Sequence, residues 1–284
     1  MKSQRSLPRV FSLEFFPPKN EEGAEKLRQT RENLSGLRPR FFSVTYGAGG
    51  STRSRTMATV LDIKNAGFAA APHLSCIGST REGIREILDE YRAQGIRHIV
   101  ALRGDLPSGT HEVGELRYAN ELVEFIRSET GDYFHLDVAA YPEFHPQASS
   151  AAADLENFRR KVSAGANSAI TQYFYNLDSY LRFIESCERM GIDIPIVPGI
   201  MPITNYAQLA RFSDLCGAEL PRWLRRRLEG YGNDLDSIRA FGLDVVTDLC
   251  RRLLEAGSPG LHFYTMNQVN PTRAIWQALG LENH

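Results

Sequence analysis

Eight short apolar runs rich in Val, Ile, Phe and Ala recur along the 284-residue chain: "RVFSLEF", "FFSVTYG", "FAAAPHL", "RHIVALR", "FHLDVAAY", "SAITQYFY", "IPIVPGI" and "GLHFYT". Each has the length and composition of a buried strand, and helical segments separate them. In "STREGIREILDEYRAQG" the spacing predicts a helix with Ser79 and Glu82 as a capping box, Gly95 at its end, and Ile84, Ile87, Leu88 and Tyr91 on one apolar stripe. Another helix is expected after Asp178 up to Gly191, and a last one capped by Asn270, with Pro271 at its first position and Gly280 beyond its end. Strict alternation requires parallel strands joined by right-handed crossovers. Eight such units predict one closed (β/α)8 barrel over residues 1–284, with its core at about 10–280, in preference to an open doubly wound sheet. The long connection from about Pro202 to Pro259 must hold extra helices, one of them striped with Ile238, Val245, Val246, Leu249 and Leu253. No linker, low-complexity stretch or internal repeat divides the chain.

Composition excludes several classes. The formal net charge is −1 and basic residues are scattered, apart from "RWLRRRL" around Arg225 to Arg227, which reads as a solvated helix face, so nucleic acid is not an expected partner. Cys76, Cys187, Cys216 and Cys250 lie far apart with no C-x-x-C, which argues against a metal site or a disulfide frame and suits a reducing compartment. No stretch of 18 apolar residues exists and "MKSQRSLPRV" lacks the apolar core of a signal peptide; a cytoplasmic location without membrane insertion is expected.

In a barrel of this kind chemistry sits at the C-terminal ends of the strands. Those ends carry Glu14, Thr45 and Tyr46, His73, Arg103 with Asp105, Tyr141 with His145, Gln172, and Thr265 with Asn267. Glu14 stands in "SLEFFPPK", an apolar setting. Strand alternation puts it on one face with Val10, Ser12 and Phe16, and puts Phe11, Leu13 and Phe15 on the other, so Glu14 points into the barrel mouth. Burial there raises a carboxyl pKa, and a protonated Glu14 can act as an acid. An internal ion pair with Arg103 is the equally weighted alternative. Gly104 in "ALRGDLP" permits close backbone approach to a bound group. "VTYGAGGS" resembles a phosphate loop but matches neither G-x-G-x-x-G nor the Walker pattern. His73 and His145 lack the spacing of a helical zinc motif, so no metal is expected at either. In "DLENFRRKVSAGAN", Asp154, Asn157, Arg160 and Lys161 fall at helical spacing and can face one groove, with a solvated face as the alternative.

Taken in order, "EFFPPK", "VTYGA", "APHL", "ALRGDLP", "AAYPEFHP", "ITQYF" and "HFYTMNQ" resemble the methylenetetrahydrofolate reductase family over roughly residues 10 to 280. The resemblance implies a flavoprotein oxidoreductase of one-carbon metabolism: a (β/α)8 barrel holding FAD, which takes a hydride from NADH or NADPH and passes it to 5,10-methylenetetrahydrofolate in a ping-pong sequence. It implies Glu14 as general acid and Asp105 as a fixed negative charge beside flavin and pterin. FAD contacts carried over are Tyr46, Ala48, His73, Arg103, Gly104, Asp105, Tyr118, Ala119, Tyr141, His145, Ala148, Asp154, Asn157, Arg160 and Lys161, with Arg103 and the Arg160/Lys161 pair facing the diphosphate. Thr45 and Gln172 match positions that meet the nicotinamide, Gln172 also serving folate, and Gln208 and Phe212 match folate-side residues. Gln268 departs from the pattern, since several members carry arginine there; Arg273 is a candidate to replace that contact to the folate tail. Short members of the family form homo-oligomers, and because the chain ends at the barrel, regulation by S-adenosylmethionine is not expected. Two other readings are a flavin barrel of the proline dehydrogenase kind and a noncatalytic folate or flavin binder.

Overall fold

The computed structural model of the chain describes residues 1–47, 52–105 and 114–281. Ala48 lies outside the described residues. Strands β1 (Val10–Phe15), β2 (Phe41–Val44), β3 (Ala70–Ser75), β4 (His98–Leu102), β5 (His135–Ala140), β6 (Ser168–Thr171), β7 (Ile196–Val197), β8 (Gly199–Ile200) and β9 (Gly260–Tyr264) form one sheet in the order β7-β6-β5-β4-β3-β2-β1-β9-β8, every pairing parallel. The run "IPIVPGI", expected as one strand, is two short ones. Pro198 has no N–H for the ladder and interrupts them, while its carbonyl accepts from His262 N at 3.0 Å. Because β7 and β8 are halves of one extended stretch, the two ends of the sheet order meet and the sheet forms a (β/α)8 barrel.

Helices α1 (Lys2–Arg5), α2 (Glu21–Ser35), α3 (Arg53–Asn65), α4 (Arg81–Ala93), α5 (Ala119–Thr130), α6 (Ala151–Ser163), α7 (Leu177–Arg189), α8 (Tyr206–Cys216), α9 (Arg222–Gly230), α10 (Leu235–Ala256) and α11 (Thr272–Ala278) complete the described structure. In α4 the stripe Ile84, Ile87, Leu88 and Tyr91 is buried as expected, but the cap is Thr80, whose Oγ1 accepts from Gly83 N at 3.1 Å. Ser79 is instead held in a turn, its N–H on Cys76 O and its carbonyl receiving Glu115 N. At the last helix Asn270 is not the cap: Pro271 occupies that position, with no side-chain hydrogen bond. The long connection holds α8, α9 and α10, and buries Ile238, Val246, Leu249 and Leu253. Among the described residues, no helix is long and apolar enough to cross a membrane.

Two apolar layers follow from strand alternation. Phe11, Leu13 and Phe15 face the helices, where Phe11 meets Trp276 of α11 with ring centroids 5.3 Å apart. Inside the barrel a small plug of Phe41, Ala71, Val100 and Ile170, flanked by Val10 and Leu102, fills the middle. The plug leaves polar side chains at both ends of the cylinder.

Candidate active site

At the C-terminal ends of the strands lies a cavity of about 290 Å³. It is walled by Asp105 after β4, Tyr141 and His145 after β5, Gln172 and Tyr173 after β6, Met201 after β8, Phe212, Leu215 and Cys216 from α8, and Phe16 and Met266 after β1 and β9. Asn267 sets the last two: Phe16 N donates to its Oδ1 at 2.8 Å, and its Nδ2 donates to Phe16 O at 2.9 Å. Met266 and Asn267 take φ of 54° and 56°, a left-handed conformation uncommon for side-chain-bearing residues.

Glu14, two residues before Phe16, faces the barrel interior as alternation requires, and is only 8% exposed. Its Oε2 lies 3.4 Å from His262 Nε2 and 3.3 Å from His73 Nε2. His262 in turn meets Ser12 Oγ through Nδ1 at 2.7 Å, and Thr265 Oγ1 donates to the Glu14 carbonyl at 2.6 Å. The contact to His73 is poorly aligned, and His73 Nε2 remains a buried nitrogen without a hydrogen bond. Burial alone would push the Glu14 pKa up, but the hydrogen bond from His262 and the nearby charge of His73 outweigh it and pull the pKa down to about 2. The raised pKa expected from the apolar setting is therefore overturned: in the free protein Glu14 is a carboxylate. The Arg103 ion pair is not formed either. Arg103 donates to Gln147 Oε1 at 2.5 Å and to Gly104 O at 3.2 Å. Sequence reasoning gave His262 and Ser12 no role, although it placed Ser12 on the inward face of its strand with Glu14.

The other expected residues divide into those gathered at the rim and those held apart. Gln147, not anticipated, links Arg103 to His145, donating its N–H to His145 Nδ1 at 3.0 Å. Asp154 accepts from His145 N at 2.9 Å, and Tyr141 meets the His145 ring edge-on at 4.6 Å between centroids. Burial lowers the His145 pKa and raises that of Tyr141 to about 12, so both are neutral near pH 7. Ala148 closes this turn, donating to His145 O. Lys161 reaches inward to Ala139 O, and burial lowers its pKa to about 8 against the opposing pull of Asp154. At Gly104, φ is +82° and an added Cβ would stand 1.7 Å from Ser75 Oγ, so close packing against β3 requires glycine there.

Thr45 and Tyr46 are half-buried beyond β2, with Thr45 O accepting from Thr56 Oγ1 at 2.9 Å. Tyr118 is largely exposed at the N-cap of α5, and Ala119 opens that helix. Asn157 and Arg160 are exposed on α6, with Arg160 Nε 3.5 Å from Glu156 in a separate groove against Asn120 and Glu124. The four α6 residues therefore do not share one groove, because Lys161 turns to the barrel and Arg160 away from it. Gln208 and Gln268 are exposed. Arg273 donates to Asn33 O and Oδ1 at 2.8 and 3.0 Å, an engagement that competes with any role at a folate tail.

The lining fits a flat ring system such as a flavin: aromatic and thioether side chains wall the cavity, Asp105, Gln147 and Gln172 place polar groups at its edge, and Arg103 stands beside it through its hydrogen bond to Gln147.

Residues 2–280 match the sequence profile of the family described as methylenetetrahydrofolate reductase. A Salmonella typhimurium protein named 5,10-methylenetetrahydrofolate reductase is 45% identical over 271 residues, covering 95% of this chain and 90% of that one. The Escherichia coli protein of the same name is 44% identical with the same coverage. An Arabidopsis thaliana protein named methylenetetrahydrofolate reductase (NADH) 1 is 38% identical, the match covering 96% of this chain and 48% of the plant protein. Among solved structures, a Clostridium thermocellum protein described as binding two copies of 5-methyl-5,6,7,8-tetrahydrofolic acid superposes with a TM-score of 0.67 at 18% identity, covering 99% of this chain and 96% of that one, which is a likeness of fold. The chain belongs to the methylenetetrahydrofolate reductase family.

Proposed function

We propose that the protein reduces 5,10-methylenetetrahydrofolate to 5-methyltetrahydrofolate, using FAD and a reduced nicotinamide that take turns with folate at the rim cavity. The carrying observation is the agreement of near-complete relatives bearing that name with an inward carboxylate, Glu14, at the barrel mouth. Bound FAD supplies a two-electron carrier that accepts hydride from one substrate and returns it to the other. The cavity has room for fused aromatic rings, and the rest of a dinucleotide would extend from its His145 and Gln147 wall toward Arg103. Phe212 and Phe16 offer stacking surfaces. Gln172 and Asp105 offer an amide and a carboxylate for the hydrogen-bonding edge of a pterin.

The net reaction consumes one hydride and one proton, and Glu14 with its imidazoles handles the proton. In the free protein the carboxylate is ionised, so it must take up a proton before it can deliver one. Excluding water over the mouth disfavours the charged carboxylate and favours uptake of that proton. The low free-state pKa of Glu14 is thus compatible with an acid role that arises only when the mouth is covered.

The test is anaerobic. Purified protein should be yellow, lose its visible absorbance when given NADH or NADPH, and regain it when methylenetetrahydrofolate follows. Protein that stays colourless after reconstitution with FAD, or a reduced flavin that folate cannot reoxidise, overturns the reading. Assembly into a homo-oligomer belongs to the same proposal and is read by light scattering.

A further inference from the structure

The opposite end of the barrel carries a second cluster. His98 opens β4 and His135 opens β5, and the two are Cα partners in the parallel register. Asp137 follows two residues after His135 on the same face and pairs in register with Ser168, the first residue of β6. Alternation points all four inward, below the plug of Phe41, Val100 and Ile170. His98 Nε2 lies 2.7 Å from Asp137 Oδ2, and His135 Nε2 lies 2.6 Å from Ser168 Oγ and 3.8 Å from Asp137 Oδ1. Ser168 Oγ also donates to Asp137 Oδ1.

We propose that His98, His135 and Asp137 form a binding site for one divalent transition-metal ion of the zinc type, at the N-terminal floor of the barrel. Three features support it. The ligand atoms of all three residues lie within 4.8 Å of one another, a spacing that small side-chain shifts convert into a shared coordination sphere. Two imidazoles and one carboxylate are borderline donors that favour zinc-like ions over magnesium or calcium. Access is open on one side, since the His135 side chain is 48% exposed whereas Asp137 is buried, so an ion can enter from solvent and leave a coordination position for water.

On binding, each imidazole presents its Nε2 lone pair to the ion, any proton on that nitrogen leaving to solvent and the remaining ring proton sitting on Nδ1, and Ser168 keeps the hydrogen bond to Asp137 Oδ1 that orients the carboxylate. The ion would pin β4 to β5 without touching the rim cavity. The site stands apart from the proposed folate chemistry and does not depend on it.

The experiment uses the full chain with its resident cofactor. Protein treated with EDTA and exchanged into chelator-free buffer is titrated with zinc chloride by calorimetry, and crystals grown with zinc are measured at the zinc absorption edge. The expected result is a single binding event, an anomalous peak between His98, His135 and Asp137, and at least about a tenfold weaker affinity in His135→Gln with flavin content and turnover retained. His135 is at the exposed edge of the cluster, so this variant should fold, and the diffraction measurement needs no variant. No binding event, equal affinity in His135→Gln, or an anomalous peak only elsewhere, such as beside Glu14, overturns the proposal.

Discussion

The two ends of the barrel hold the same four groups: one carboxylate, two imidazoles and one serine hydroxyl. At the mouth these are Glu14, His73, His262 and Ser12; at the floor they are Asp137, His98, His135 and Ser168. Their geometry differs. The floor is tied by short hydrogen bonds, and although burial alone would raise the Asp137 pKa, the neighbouring histidines hold it well below the ordinary carboxylate range. The mouth is looser: its carboxylate contacts lie at 3.3 and 3.4 Å, and His73 Nε2 is left without a hydrogen bond. A buried polar atom without a partner costs stability, and such atoms cluster where a ligand is to be bound. The same groups are thus satisfied among themselves at the floor and left partly open at the mouth.

That contrast can be broken by substitution. Glu14→Gln keeps the shape of the mouth but removes the transferable proton. Folate-dependent reoxidation should fall by about 10²–10⁴-fold, with flavin binding and bleaching by nicotinamide retained. Normal folate turnover in this variant would remove Glu14 from the proton-handling role. At the floor the effect should fall on stability: Asp137→Ala removes the carboxylate that pairs with His98 and accepts from Ser168, two charge-assisted hydrogen bonds, and should cost about 3–5 kcal/mol in urea unfolding, while turnover per folded molecule is unchanged. A large catalytic loss in folded Asp137→Ala would show that the two ends are not independent.

Acid sharpens the comparison. The Glu14 pKa is depressed from 4.5 to about 2. A depressed carboxylate pKa stabilises the fold fully above the ordinary value, and the contribution is lost as pH falls through the folded value. Between about pH 4.5 and about pH 2, Glu14 should therefore cost the protein on the order of 3 kcal/mol, a component missing from the acid titration of Glu14→Gln. An identical acid profile in the two proteins would mean that the histidines do not hold the carboxylate as the geometry indicates. The smallest effect is expected for Ser12→Ala, which removes the 2.7 Å contact to His262 and should lower stability by about 1 kcal/mol, measured by thermal unfolding.

Much of this was legible from local pattern. The inward direction of Glu14 followed from alternation along β1, and the rim positions of Asp105, Tyr141, His145 and Gln172 followed from their places at strand ends. What failed was what depended on partners distant in sequence. Ser79 and Thr80 are neighbours with equal capping chemistry, and the turn that engages the Ser79 backbone decided between them. Arg160 and Lys161 share a helix, yet one pairs with Glu156 and the other reaches Ala139, because only Lys161 lies on the side packed against β5.

By itself, the order of apolar runs and helical segments determined a parallel barrel, and the ordered motifs determined the family. The tertiary structure alone decided the ionisation of Glu14 and the meeting of His98, His135 and Asp137. The reason is physical: burial of a side chain is encoded by periodicity in its own strand, whereas its charge state is set by groups that arrive from other strands. His73 and His262 reach Glu14 from β3 and β9, and only closure of the sheet brings them within 3.4 Å.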